Sequence, residues 1–315
     1  MRYRKIALTT AAAGLMAIGF AAPSQASLTT FCDGVAADVT VPGDLVVAAG
    51  KSCELTNVTV NGNVTVRADA NLLLDGATVN GNVRVLANGF ADVVGTEVTG
   101  NTVLNGAYGA YTEGSTLASN VTATDSGFFY SVDSSHARNV TSTNGETFIE
   151  SGWVTRNLAT TGDTLTDVYD TVVEGTVAVT AAEQGSVFCL SEVDGNATFS
   201  GNGEILQIGA SAPLTGCGFN VFGGDLNVTD NTGEAYVSDN VVRGALTCSG
   251  NASLVADNNR VRGEENCEAS AAAAAARSAV RSDVAADRKA EVRADIEART
   301  EVASEAAVEA GPAFS

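Results

Sequence analysis

The side chains able to do chemistry gather in one window of the chain, about Gly100–Glu174. His136, the single histidine, could act as a general acid or base. Arg138 and Arg156 occupy corresponding positions of a repeat. Stacked one above the other, two guanidinium groups repel unless an acid or an anionic ligand lies between them. Asp133, Asp170 and Glu174 are the expected partners. Tyr111, Tyr130 and Trp153 supply flat apolar rings with polar edges, a surface that stacks on sugars. The plainer expectation is that the tyrosines pair with each other as cross-strand aromatics. Asp163, Asp167 and Asp170 form the best local acid group. A polysaccharide lyase or hydrolase needs a carboxylate pair, or a calcium-anchored base, on one face.

What must position these groups is a repeat. The phrase V-N-G-N-V-x-V stands at Val60–Val66 and again at Val79–Val85. Anchored on its glycine, the repeat runs through Gly62, Gly81, Gly100, Ser119, Arg138, Arg156, Gly175, Gly195, Gly224, Gly244 and Gly263. The steps are nineteen residues, with one of eighteen, two of twenty and one of twenty-nine; the long step holds an insertion at roughly Ala210–Phe219. Apolar residues alternate within a repeat and recur at fixed offsets between repeats. This pattern predicts an all-β fold, a right-handed parallel β-helix of about nineteen residues per coil, each coil stacking in register on the last. Asn63, Asn82, Asn101, Asn120, Asn139 and Asn157 follow the anchor. They are expected to take a left-handed corner and to form a hydrogen-bonded ladder, with the preceding Gly relieving the same corner.

On this register Leu73, Asp92, Tyr111, Tyr130, Ile149 and Asp167 form one outward strip, and Phe148 and Glu150 point inward. The three acids fall on different faces. His136 replaces an aliphatic core residue, satisfied by Glu150 or Ser142. No catalytic residue and no cofactor are predicted, and the window is where a site would lie because local rules break there.

The ends carry other signals. Residues 1–26 read as a secretory leader: a basic head, an apolar run Ile6–Ala22 and a small-x-small cleavage site at Ala26. Residues 27–268 are the predicted solenoid. Removal of the leader leaves 14 basic residues against 37 acidic ones, which opposes binding to nucleic acid or anionic membrane. No later stretch is apolar enough to span a bilayer. An even six cysteines, without C-x-x-C spacing and far from the one histidine, indicate disulfides rather than a metal site. Position suggests Cys32–Cys53, Cys189–Cys217 and Cys248–Cys267. Residues 269–315 are rich in Ala, Glu and Arg and predict a helix, with Asp295 and Arg299 as an i,i+4 pair. Val280, Val284, Val292 and Ile296 spread too widely around it for a seam, so the tail is expected to be solvated and partly frayed.

The repeat phrase, the leader and the ending Leu246-Thr-Cys248…Asn259-x-Val261-x-Gly263-x-x-x-Cys267 resemble secreted β-helix proteins of actinobacteria. The coil is more loosely similar to the bactofilin polymer-forming domain. The first resemblance implies the β-helix fold; the expected role is non-enzymatic, structural or adhesive, at the cell envelope or outside the cell, with a glycan or cell-wall polymer as the expected partner. The second implies self-association through open solenoid ends, which cysteine-pinned caps oppose. The alternative is a carbohydrate-binding or polysaccharide-degrading β-helix using the face around residues 108–170.

Overall fold

The computed structural model describes residues 28–209, 213–214, 217–267 and 284–314, with side chains of the C-terminal helix from 288 onward. The expected leader lies outside the described residues, as do 268–283.

Three parallel sheets stack along one axis. Sheet A has 13 strands, from Thr29–Cys32 to Glu265–Asn266. Sheet B has 12, from Gly34–Ala37 to Ser253–Asp257. Sheet C has 12 strands of two residues each, from Thr40–Val41 to Arg260–Val261. The chain visits A, B and C in turn, then climbs one rung, so that Cys53, Leu72 and Ala91 pair in register nineteen residues apart. About twelve rungs make a β-solenoid roughly 55 Å long. Its interior is the column of Val and Leu that the repeat predicts: Val60, Val64, Val66, Leu72, Leu74 and Val79 are all buried.

The corners are built differently from expectation. The asparagines after the anchor do form a ladder: Asn82 Nδ2 donates to Asn63 Oδ1 at 2.8 Å, and Asn139 to Asn120 at 3.2 Å. None of them has a positive φ. The left-handed residues lie in two other columns. One, between sheets A and B, holds Asp69, Asn88, Asp125 and Asn144; the other, between B and C, holds Asn57, Gly76, Gly95, Asp133 and Asp170. These are the residue types that tolerate that backbone. The anchor glycine answers a different demand. A Cβ on Gly81 would stand 2.5 Å from the carbonyl oxygen of Gly62 on the rung below, so close backbone stacking excludes a side chain there.

Three disulfides, Cys32–Cys53, Cys189–Cys217 and Cys248–Cys267, join neighbouring parts of the solenoid. Leu214 of the insertion lies against sheet B, where Gln207 clasps it: the Gln207 amide donates to Leu214 O (3.0 Å), and Leu214 N donates back to Gln207 Oε1 (2.8 Å).

The helix α1 (Val284–Ala310) corrects the expectation of a solvated tail. It lies along sheet B with its C-terminal end at the first rungs. Gly311, at φ 85°, ends it, and Pro312 prevents continuation. The next residues pair with the sheet edge: Val35 N donates to Gly311 O (2.8 Å) and Ala313 N to Val35 O (2.9 Å). The C-terminal segment thus covers the N-terminal edge of sheet B, and Ala313 joins the core.

Candidate functional site

Sheet B is where the outward strip and the irregular window meet. Its outward column reads Leu73, Asp92, Tyr111, Tyr130, Phe148, Asp167. Phe148 replaces the expected Ile149, because the turn around Asn144 is one residue shorter than its neighbours. Ile149 turns inward to the core, whereas Phe148 and Glu150 face out.

This strip is not open. α1 covers it, with Ile296 and Ala303 packed among Leu73, Phe90, Phe128, Tyr130, Phe148 and Leu165. Tyr130 is wholly buried; its hydroxyl donates to Glu150 Oε1 and accepts from Arg293 Nε at 2.7 Å. Burial, then the bond to Glu150, pushes its ionisation upward. Tyr111 meets Tyr130 edge-on at 5.8 Å and donates to Glu113 Oε2 at 2.7 Å. The tyrosines therefore pair, and both lie against the helix.

The helix contacts the sheet largely through polar and cationic groups. Glu150 Oε2 takes Lys289 Nζ at 2.6 Å and Arg293 Nη2 at 3.1 Å. Arg299 donates to Asn71 Oδ1 (2.7 Å) and lies 4.8 Å over the Tyr108 ring. Its expected pairing with Asp295 is replaced by these contacts. Thr300 donates to Asp92 Oδ2 and Ser304 to Glu54 Oε2. Glu291, Asp295, Glu297, Glu301, Glu305 and Glu309 all face solvent. Lys289, Arg293 and Arg299 thus reach acidic or polar groups of the sheet, while most of the helix's carboxylates are solvent-exposed, an arrangement that favours docking of this face.

Two carboxylates beneath the helix are incompletely satisfied. Asp92 Oδ1 and Asp167 Oδ2 have no hydrogen-bond partner among the described residues. Burial raises both groups. Thr300 opposes the rise at Asp92, while Asp167 reaches about 6 despite accepting from Val187 N and facing Arg288 and Lys289. Burial also raises Glu146, which faces Glu291 and Arg288.

His136 and Asp163 are inside the solenoid. His136 is fully buried, with Nε2 2.9 Å from Ser131 Oγ, so its partner is Ser131 rather than the expected Glu150 or Ser142. Burial lowers its ionisation to about 4, which keeps it neutral at pH 7. Asp163 accepts from Ser142 Oγ, Gly145 N and Thr147 Oγ1 at 2.8–3.1 Å. Asp163 thus faces the core, Asp167 faces the helix, and Asp170 is exposed at a corner, on three separate surfaces.

Trp153 is elsewhere, on sheet C, 47% exposed, with its indole N–H donating to Glu174 Oε1 at 3.2 Å. It shares no surface with the tyrosines. Arg138 and Arg156 are exposed, and neither forms an ion pair with Asp133, Asp170 or Glu174 among the described residues. Reading offsets missed the roles of Glu150, Arg293 and Asp92. A usable signal was present in the spacing of Lys289, Arg293, Ile296, Thr300, Ala303 and Ala307, which recur at helical intervals.

Comparison with protein-family models, with curated proteins and with solved structures gave no match.

Proposed function

We propose that the protein is an exported, non-enzymatic rod with a structural or adhesive role at the cell envelope or outside the cell. The observation that carries this reading is how the polar and titratable side chains in and beside the irregular window are spent. Tyr130, Glu150 and Asp92 bind the chain's own helix, while His136 and Asp163 bind within the core. Such groups hold a rigid object together. The leader-like N-terminus and three disulfides favour an oxidising compartment.

A second reading, binding of carbohydrate, draws support from Trp153, whose half-exposed ring is held by Glu174. Incubation of the purified chain with envelope preparations and with acidic polysaccharides tests both. The expected result is retention on the envelope without release of new sugar ends; turnover of a polysaccharide would overturn the non-enzymatic reading.

A further inference from the structure

The outward column of sheet C changes character halfway along the rod. It begins Thr40, Thr59, Thr78, Glu97, Thr116, Ser135, continues Trp153, Val172, Glu192, Val221, Val241, and ends at Arg260. Strand pairing does not require the change, because the two-residue strands keep register across it. Apolar residues therefore face solvent on a sheet that elsewhere presents threonine.

Two loop residues extend this surface. Leu190, at φ 57°, is 48% exposed and Phe219 is 59% exposed. Leu190 N donates to Gly218 O at 3.5 Å, and the adjacent Cys189–Cys217 disulfide ties this end of the insertion to the solenoid. Between them lies a shallow cavity of about 220 Å³. Val172, Leu190, Phe219 and Val221 form its apolar wall, and Asp170 and Glu192 stand at its rim.

We propose that this cavity is a docking site for a lysine or arginine side chain of a partner protein. The inference rests on the adhesive reading and names its contact. A long cationic side chain has an apolar stem and a charged head. The stem matches Val172, Leu190 and Val221, and the head reaches Asp170 or Glu192. The Phe219 ring offers a further cation contact. The formal charge of −20 draws a basic surface toward the rod. A sugar suits the cavity less well, since its wall is mostly branched aliphatic and the nearby indole N–H is already bound to Glu174.

Trp153 is the only tryptophan and stands one rung from Val172, so its emission reports on the site. The full chain is titrated with a soluble Gly/Ser peptide carrying a Leu-Lys-Leu core, the same peptide with Glu in place of Lys, and a neutral β-glucan hexamer. The Lys peptide is expected to shift the emission and the Glu peptide to leave it unchanged. Asp170→Asn with Glu192→Gln, surface changes that keep the fold, should weaken Lys-peptide binding about tenfold or more. Equal binding by that variant, no binding by the wild type, or a response to the glucan alone would each overturn the proposal. Envelope retention is measured on the same proteins. Wild type and variant retained alike would sink the docking site and leave the adhesive reading standing; a wild type that is not retained would sink that reading.

Discussion

Sheets B and C have the same number of strands and the same register, yet their outer faces have opposite fates. Sheet B is buried on both sides, inward by the core and outward by α1 and, further along, by Leu214. Sheet C is buried on one. Tyr130 and Trp153 mark the contrast: each is an aromatic residue at an outward position, one wholly buried and the other half exposed. A β-strand fixes which side a residue points to, and a separate element decides whether that side meets water. The acidic and aromatic content of sheet B complements its helix. The apolar patch on sheet C is the part of the surface left for something else.

The contrast can be broken most strongly at Ala303, which is fully buried between α1 and sheet B. Ala303→Glu would place an unpaired charge there and should undock the helix, a loss of about 3 kcal/mol or more. Hydrogen exchange should then show unprotected amides across 288–310 while sheet A stays protected; protection retained in α1 would refute the docking described above.

A smaller effect is expected at Asp167. Burial lifts its folded ionisation to about 6, above the ordinary 3.8, so its contribution to fold stability is complete below 3.8 and is lost as pH rises to 6. Asp92 and Glu146 shift in the same direction. Asp167→Asn removes the desolvation cost but also the attraction to Arg288 and Lys289; it should raise fold stability at pH 7 by about 2 kcal/mol and flatten its dependence between about pH 4 and 6, read from hydrogen exchange across sheet B and α1. His136 acts in the opposite sense on global stability. Its folded value of about 4 lies below 6.5, so its contribution is complete above 6.5 and falls away as the pH drops toward 4. An unchanged pH profile in the Asn variant would show that this carboxylate does not carry the pH dependence.

The smallest effect belongs to sheet C. Trp153→Ala should change the melting midpoint by no more than about 0.5 kcal/mol equivalent, because the ring is half exposed and its removal leaves no cavity. A large loss on thermal unfolding would mean that this face is covered after all.

Much of the rod could be read from residues alone. A nineteen-residue recurrence of Val, Gly and Asn is a statement about one coil repeated, and in-register stacking turns each such column into a core, a close backbone contact or a ladder. The corner conformation was less legible. Asp, Asn and Gly are common throughout the repeat, and only the folded backbone separates those at positive φ from those placed for stacking or hydrogen bonding. One shortened turn near Asn144 exchanged the faces of Phe148 and Ile149, because a one-residue slip reverses every side chain in a strand.

The sequence by itself therefore determined the solenoid, its three disulfide pairings by position, and the helical character of the C-terminal stretch, since periodicity and local propensity are properties of neighbouring residues. The tertiary structure alone decided what that helix covers. Its seam mixes Ile296, Ala303 and Ala307 with Lys289, Arg293, Thr300 and Ser304, a helical spacing that does not name a partner, and its partners Asp92, Tyr130 and Glu150 lie between 143 and 208 residues away. Complementarity across such a distance becomes visible only when the chain has folded back along its own rod.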